Sequence, residues 1–403
     1  MSYLPALAAM LLNLGGLVGS ADARAGGLQD VELCLDHFDL GCAHREAADL
    51  DGVLGNEADQ LRAALWLAFH EGRYGEIAAL IERLEAIGVR VDALEPGVPY
   101  RPTADAANGM VEAAGERVAV RYAPGVDEIL AKEGVEVLES SRTEIDALFG
   151  GGPDHTIVLD IFPTASRFIA ASGLPPESVR TTGVVALSKW TRLLLTSPRA
   201  LSRGYAWKDT VAHEYIHLVV AYRSRNNAPV WLQEGLAKHL EGAWRGEQGT
   251  PLGVHAESLL ADAVQSGEFV PFEKFARSMA YLDSGEEAAL AFAQVATMVR
   301  FMLETSGPQG LATLMDRLAE GEGAEQVVAE LAGHADFPSF KTAWEAWLRT
   351  LPLVEARLAA LPVVLDGAGN EFDGDPVLSG RADLARYTRL GDLLREKNRP
   401  QAA

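Results

Sequence analysis

The spacing of hydrophobic residues predicts helices in the first quarter of the chain. Between Leu28 and about Val91, apolar residues recur at helical spacing, and the pattern breaks at Gly72. Prolines and a glycine then cluster within residues 92–102, which predicts a linker. We therefore expect a helical region, containing at least one helical hairpin, at residues 26–102.

The hydrophobic period changes in the middle of the chain and returns to helical spacing near the end. An amphipathic segment at residues 127–149 predicts a helix that ends at the glycines 150–152. From Lys208 to about Leu351 the spacing is mainly helical. Alternating or β-branched runs predict strands at residues 117–122, 155–161, 183–188 and 192–196. Strands followed by helices predict an α+β domain, which we place at residues 110–351.

The N-terminus has the pattern of a cleaved targeting segment. An apolar run from Leu4 to Val18 is followed by small residues that offer cleavage after Ala23 or Ala25, although no Lys or Arg precedes the run. We expect a signal peptide at residues 1–25 and a secreted or periplasmic protein. An uncleaved anchor and a buried first helix are the alternatives. No later stretch has the ~18 uninterrupted apolar residues of a membrane span.

The charge balance excludes one class of partner, and the cysteines leave a question open. Asp and Glu total 57 against 35 Lys and Arg, which gives a formal net charge of −22. Such a chain lacks the basic surface that binds nucleic acid or anionic membranes. On one straight helix Cys34 and Cys42 would lie roughly 12 Å apart, too far for a disulfide, but Gly41 allows a bend between them. The sequence leaves their pairing open.

A pair of histidines marks the place where the second domain becomes helical. His213 and His217 are four residues apart, so on a helix both imidazoles project from one face and reach one metal ion. Glu214 points roughly 100° around the helix, where it can reach a water on the metal without binding the metal. The surrounding residues are largely apolar, which predicts a buried helix whose ionisable groups need partners or a metal. The alternative is two core histidines that share a helix face.

A second acidic residue follows in a neighbouring helical segment. Glu234 lies near the apolar stripe of Trp231 and Leu232 rather than on a polar face. A carboxylate in such a stripe is costly unless it is paired or bound to a metal. Glu234 is therefore the candidate third ligand, and the alternative is a charged residue at the edge of the stripe.

The two segments together resemble a known family. His-Glu-x-x-His at 213–217 and Trp-Leu-x-Glu-Gly-Leu-Ala at 231–237 are similar to the gluzincin clan of zinc metallopeptidases, in particular its peptidase MA-like group of secreted proteins. The resemblance runs from about Arg117 to Leu351. It implies a thermolysin-like domain with a twisted sheet over the active-site helix and a helical C-terminal lobe.

The resemblance also implies a role for each residue of the site. His213, His217 and Glu234 would bind Zn²⁺, Glu214 would be the general base, and a peptide or protein would be the substrate. The chain departs from the family at Phe292, where we expect a tyrosine that stabilises the oxyanion, because phenylalanine cannot donate a hydrogen bond. The candidate substitutes are Tyr281, Tyr205 and His255.

Other polar residues near the motifs have simpler interpretations. His239 does not share the helix face of Glu234 and is interpreted as a surface or packing residue. Glu241 does share it, so it is either a partner of a ligand histidine or a solvated helix end, and we favour the solvated end. Asp209 has the same two interpretations. The acidic stretch at 366–375 does not match the spacing of a calcium loop and predicts a solvated loop.

Two segments resemble tetratricopeptide-type helices. Residues 64–80 look like the two helices of one repeat, and residues 385–395, within the C-terminal tail at 352–403, look like the first helix of another. Such repeats imply a protein partner. The first functional hypothesis is a zinc-dependent peptidase that acts outside the cytoplasm. The alternative is a helical-repeat binding or scaffold protein whose zinc site is structural or weakly active.

Overall fold

The computed structural model describes most of the chain between residues 27 and 353. The described residues are 27–37, 39–50, 57–91, 100–174, 184–189, 191–201, 204–279, 282–307 and 309–353. The predicted signal peptide, the acidic stretch at 366–375 and the repeat-like segment at 385–395 lie outside them.

Helices form most of the described structure, as the hydrophobic spacing predicts. The helices before the last sheet strand are α1 (Leu28–Asp36), α2 (Leu40–Leu50), α3 (Glu57–His70), α4 (Tyr74–Ala86), α5 (Tyr100–Ala106), α6 (Glu128–Phe149) and α7 (Ala165–Ser172). Those after it are α8 (Trp207–Ser224), α9 (Val230–Leu240), α10 (Val254–Ser266), α11 (Phe272–Phe275), α12 (Gly285–Ser306), α13 (Gly310–Ala319), α14 (Ala324–Leu331) and α15 (Phe337–Leu348). None of the described helices is both long and apolar enough to cross a membrane.

A small mixed sheet lies in the middle of this helical structure. Its strands are β1 (Val111–Ala114), β2 (Val118–Tyr122), β3 (Ile157–Phe162), β4 (Ala186–Lys189) and β5 (Arg192–Thr196). Their order is β1-β2-β3-β5-β4, with β2, β3 and β5 parallel and the two edge strands antiparallel to their neighbours. The chain therefore has the mixed α+β fold that its sequence predicts.

Two details of the sequence-based assignment are wrong. The strand β1 was not predicted, because its side chains are mostly exposed and show no alternation of hydrophobic and polar residues. The predicted linker at 92–102 ends too late, since Tyr100–Pro102 begin α5. Pro102 is tolerated there because the first turn of a helix has no internal partner for its N–H groups.

The cysteines are paired. Cys34 in α1 and Cys42 in α2 form a disulfide, and their Cα atoms are 5.6 Å apart. The chain turns between the two helices, which brings the cysteines closer than one straight helix would.

The sheet is covered by helices on both faces. Alternate residues of β5 show this directly, because Leu193 and Leu195 belong to the hydrophobic cluster that contains α6 and α8, whereas Leu194 belongs to the cluster that contains α3, α4 and α7. The helical region at the start of the chain thus shares a core with the sheet. This arrangement places α8 against one face of β4 and β5.

The helix α9 lies close to α12 in the C-terminal lobe. A Cβ atom on Gly235 would be 2.7 Å from the backbone oxygen of Val295, so only glycine permits this separation. The close approach fixes the rotation of α9, which carries Glu234 next to Gly235. Glu234 is thereby directed towards α8 and not towards solvent.

Candidate metal centre

Two histidines meet on the buried face of α8. His213 and His217 are one helical turn apart, and their Nε2 atoms are 3.1 Å from each other. Their side chains are 1% and 3% exposed, because α8 is enclosed by the sheet, α6 and α9. The helix therefore presents two imidazole nitrogens to one point in the interior.

Glu234 on α9 completes a group of three. Its Oε2 atom lies 3.5 Å from Nε2 of His213 and 3.6 Å from Nε2 of His217. Ligand atoms ~2.0–2.2 Å from a tetrahedral zinc ion are roughly 3.3–3.5 Å from each other. The three atoms thus have nearly the separation that one shared zinc ion requires, and the structure brings together the three residues that the sequence singled out.

The unsatisfied atoms at this point fit a bound cation. Neither carboxylate oxygen of Glu234 has a hydrogen-bond partner within the described part of the chain, although the residue is fully buried. An unpaired buried carboxylate is costly, and a divalent ion removes that cost. Two imidazoles and one carboxylate are also the donor set that zinc prefers in catalytic sites, so these residues fit the metal that the resemblance implies.

The electrostatics of the protein without metal show how strongly the three groups interact. Burial alone would lower the pKa of His213, but the nearby carboxylates of Glu234 and Glu241 outweigh it and raise the pKa to about 9. Burial alone would raise the pKa of Glu234, but the two imidazoles outweigh it and lower the pKa to about 2. Positive charge at this point is therefore stabilised by the protein.

Glu214 lies beside this group and contacts the sheet. It is 2% exposed, and the backbone N–H of Ser188 in β4 donates a hydrogen bond to its carboxylate. Its Oε2 atom has no partner among the described residues. Burial raises the pKa of Glu214 above its ordinary value despite the nearby imidazoles. A carboxylate with a raised pKa and one free oxygen is suited to accept a proton.

The expectation that Glu241 is a solvated helix end is wrong. Glu241 is 8% exposed, and its Oε2 atom is 3.2 Å from Nδ1 of His213. Its other oxygen accepts a hydrogen bond of 2.7 Å from Nζ of Lys238. A carboxylate on the second nitrogen of a ligand imidazole fixes its tautomer and orientation. Glu241 follows directly after α9, so its spacing of seven residues from Glu234 was the available sequence signal.

The remaining candidates lie outside this group. His239 is buried as a packing residue, and burial together with Arg300 lowers its pKa to about 4. Asp209 accepts hydrogen bonds from Trp244 and Arg245, so it does not partner a ligand histidine.

Two of the three expected substitutes for an oxyanion donor, Tyr205 and His255, lie within the described residues. Phe292 is 3% exposed within the core of α12. The hydroxyl of Tyr205 donates to the backbone oxygen of Thr196. His255 lies at the start of α10, and Tyr281 lies outside the described residues.

Comparison with known proteins places the chain in a family. No curated protein matches its sequence. A family model described as the Peptidase MA superfamily matches residues 143–350, which is more than half of the chain. The match contains α8 and α9 with all four residues of the site. The chain belongs to the Peptidase MA superfamily.

Proposed function

We propose that this protein is a zinc-dependent peptidase of the gluzincin type, in which His213, His217 and Glu234 bind the metal. The observation that carries the proposal is the group of three ligand atoms, 3.1–3.6 Å apart, in which neither oxygen of Glu234 has a hydrogen-bond partner among the described residues. The superfamily supports peptides or proteins as substrates.

Glu214 is the general base of the proposed reaction. His213, His217 and Glu234 would hold a zinc ion here, which would supply Lewis acidity towards a substrate carbonyl and lower the pKa of a water molecule towards ~7. Glu214 takes the proton from the attacking water and later delivers it to the amine nitrogen of the leaving fragment. Its raised pKa favours the first transfer, and the hydrogen bond from Ser188 keeps one oxygen fixed while the other is free.

The edge strand β4 is suited to bind an extended peptide. Thr196 donates its N–H to the oxygen of Val185 directly opposite, so the backbone groups of Ala186 and Ser188 point away from β5. A substrate strand can pair with the outward N–H and C=O of Ala186 and the outward C=O of Ser188, as in other cases of strand addition, while the Ser188 N–H stays bonded to Glu214. Such binding tolerates many sequences, because the backbone makes the contacts.

Phe292 predicts a modest rate. The family position that we associate with an oxyanion donor is occupied by a buried phenyl ring, which cannot donate a hydrogen bond. Loss of one such donor typically lowers the rate about 10²–10³-fold. We therefore expect slower turnover than in a peptidase that has such a donor.

We further propose that the protein is exported from the cytoplasm. The apolar N-terminal run with its small-residue cleavage sites favours a signal peptide, and the disulfide between Cys34 and Cys42 favours an oxidising compartment. N-terminal sequencing of protein recovered from the extracytoplasmic fraction tests this, with cleavage after Ala23 or Ala25 as the expected result.

The proposed activity is tested with zinc-loaded protein and a library of quenched fluorescent peptides. We expect hydrolysis by the wild type, inhibition by a zinc chelator, and a loss of about 10²–10⁴-fold in kcat/KM for Glu214→Gln. Zinc content should stay at one ion per chain in that variant, because Glu214 is not a ligand. Asp209→Asn is the matched control on the same helix, and it should keep both activity and zinc.

Two results would overturn the proposal. Purified wild type that binds no zinc would exclude the metal site. Wild type that binds zinc tightly but hydrolyses no peptide would favour the alternative, a binding or scaffold protein with a structural zinc site.

A further inference from the structure

The general base is attached to the edge strand of the sheet. The N–H of Ser188 points away from β5 and donates to the carboxylate of Glu214. Any movement of β4 relative to α8 therefore changes the position of the Glu214 carboxylate. What holds β4 in place is thus relevant to the site.

The hairpin of β4 and β5 lies between α8 and the N-terminal helices. Ala186, Leu193 and Leu195 pack in the hydrophobic cluster of α8, whereas Leu187 and Leu194 pack in the cluster of α3 and α4. One face of the hairpin thus depends on helices that lie before the matched family region, which begins at residue 143. Without them, the buried side chains on that face would lose their cover.

Arg192 joins the turn end of this hairpin to the corner between α3 and α4, which comprises residues 69–74. Its side chain is fully buried and donates from Nη2 to the backbone oxygen of Phe69 at 2.8 Å. Its Nη1 donates to the hydroxyl of Tyr74, and the guanidinium lies 5.0 Å from the centroid of the Tyr74 ring. Phe69 lies in the last turn of α3, so this guanidinium also interacts favourably with the negative end of the helix dipole.

Asp160 and Arg121 extend the same junction. Asp160 accepts a hydrogen bond of 2.6 Å from Tyr74, and its Oδ1 atom is 3.2 Å from Nε of Arg121. Arg121 in turn donates to the backbone oxygen of Gly72 at 2.7 Å. Gly72 has a φ of +65°, and a Cβ atom there would lie 2.6 Å from Nη1 of Arg192. Glycine at residue 72 therefore allows both this backbone conformation and the close approach of Arg192.

A second cation fixes the other strand of the hairpin. Nζ of Lys189, directly opposite Arg192 in the register, lies 4.2 Å from the centroid of the Phe69 ring and donates to the backbone oxygen of Ser172 at 3.1 Å. Both strands of the hairpin are thus attached to the α3–α4 corner at one end. Ser188 is the immediate neighbour of Lys189.

We infer that the α3–α4 corner, through Arg192 and Lys189, positions the edge strand β4 and thereby the Glu214 carboxylate. Arg192 is a positioning residue. It contacts the α3–α4 corner directly and acts on Glu214 through the strand β4. The inference rests on the proposed function for its effect on catalysis. Its structural part, the immobilisation of the Ser188 N–H, holds independently of whether the protein hydrolyses peptides.

The test uses the full-length protein with Arg192→Met and follows the Ser188 amide by hydrogen exchange. We expect that amide to exchange about tenfold faster or more, because β4 separates from Glu214 in local openings. Zinc affinity should stay within about threefold of the wild type, since the ligands lie on α8 and α9. In hydrolysis assays kcat should fall about tenfold or more.

Arg142→Met is the matched control. Arg142 is also buried and donates to the backbone oxygens of Arg117 and His155, but on the α6 side of the sheet. The Arg142→Met variant should be less stable than the wild type, but the exchange of its Ser188 amide should not be selectively accelerated. Arg192→Lys, which keeps the charge, should partly restore the slow exchange. If Arg192→Met does not fold, Tyr74→Phe removes one hydroxyl from the same junction and should accelerate Ser188 exchange less strongly.

The outcomes separate this inference from the proposed function. Unchanged exchange at Ser188 in both Arg192→Met and Tyr74→Phe would overturn the inference, as would an equal acceleration in Arg142→Met. A wild type without hydrolytic activity would overturn the proposed function, while the exchange of Ser188 would still decide whether the corner holds β4.

Discussion

Two buried clusters of charge lie on opposite sides of the sheet, and they differ in how their carboxylates are compensated. On the α3–α4 side, Asp160 has Arg121 beside one oxygen and the hydroxyl of Tyr74 on the other. On the α8 side, Glu234 has two imidazole nitrogens at 3.5 and 3.6 Å and no hydrogen bond within the described structure.

The difference separates a structural cluster from a binding site. Asp160 is compensated by permanent cations of the protein itself, so it gains little from a ligand. Glu234 faces two imidazoles and no permanent cation among the described residues, so in the proposed function a bound cation would compensate its charge. The comparison predicts that mutation changes the stability of the protein at both clusters. Metal should change it only at the cluster of Glu234.

The largest expected effect comes from breaking the compensated cluster. Asp160→Asn leaves the buried Arg192 without its carboxylate and removes one of the two carboxylates beside the half-buried Arg121, and this should lower the free energy of unfolding by about 3–5 kcal/mol, with or without zinc. Urea unfolding measures it. Glu112→Ala removes the exposed partner of Arg121 and should change stability by less than about 1 kcal/mol. Equal losses of stability in Asp160→Asn and Glu112→Ala would contradict the distinction between a buried carboxylate and an exposed one.

Metal removal should have a slightly smaller effect, confined to the other cluster. At free zinc about 1,000-fold above its Kd, the wild type should gain about 4 kcal/mol of stability over the chelated protein. Glu234→Gln should lose most of this gain, and Asp160→Asn should keep it. The experiment is thermal or urea unfolding with zinc and with chelator. Magnesium serves as the control ion, because it prefers six oxygen ligands. A wild type with no zinc-dependent gain would remove the basis of the comparison.

A buried imidazole whose charged form is disfavoured by its surroundings sharpens the comparison. Burial and Arg300 lower the pKa of His239 to about 4, against ~6.5 in the unfolded chain. The folded protein thus binds this proton more weakly, so stability is complete above pH ~6.5 and falls as the pH drops towards 4. In chelated protein, His239→Gln should reduce the stability difference between pH 7 and pH 4.5 by about 2 kcal/mol. An unchanged pH dependence would show that His239 accepts its proton without cost.

Local signals in the sequence predicted much of the fold. The strand β5 and the end of α6 were placed correctly, because a continuous apolar run marks a strand buried on both faces and Gly150 adopts a φ of +70° at the helix end. The apolar neighbours of Glu234 predicted that its side chain points into the protein interior. These features depend on residues close together in the chain.

Contacts between distant residues could not be predicted in this way. Tyr74 and Asp160 are 86 residues apart, and nothing near either of them indicates the other. Arg192 within a buried strand looks like an ordinary strand end until the α3–α4 corner is seen. Glu241 shares a helix face with Glu234, but only the packing of α9 on α8 shows that it reaches His213 and not solvent.

The smallest predicted effect concerns that contact. Glu241→Gln keeps the size of the side chain but removes the charge that holds His213, so zinc should bind about 10–100-fold more weakly, measured by competition with a chromogenic chelator. Lys238→Met is the matched variant, because it leaves Glu241 in place without its cation. The uncompensated carboxylate interacts more strongly with the imidazole, and zinc affinity should then stay the same or rise. Weakening in both variants would mean that the pair acts by packing alone. Weaker zinc binding in Glu241→Gln, together with equal or tighter binding in Lys238→Met, would establish that the charge of Glu241, reduced by Lys238, determines how strongly His213 binds zinc.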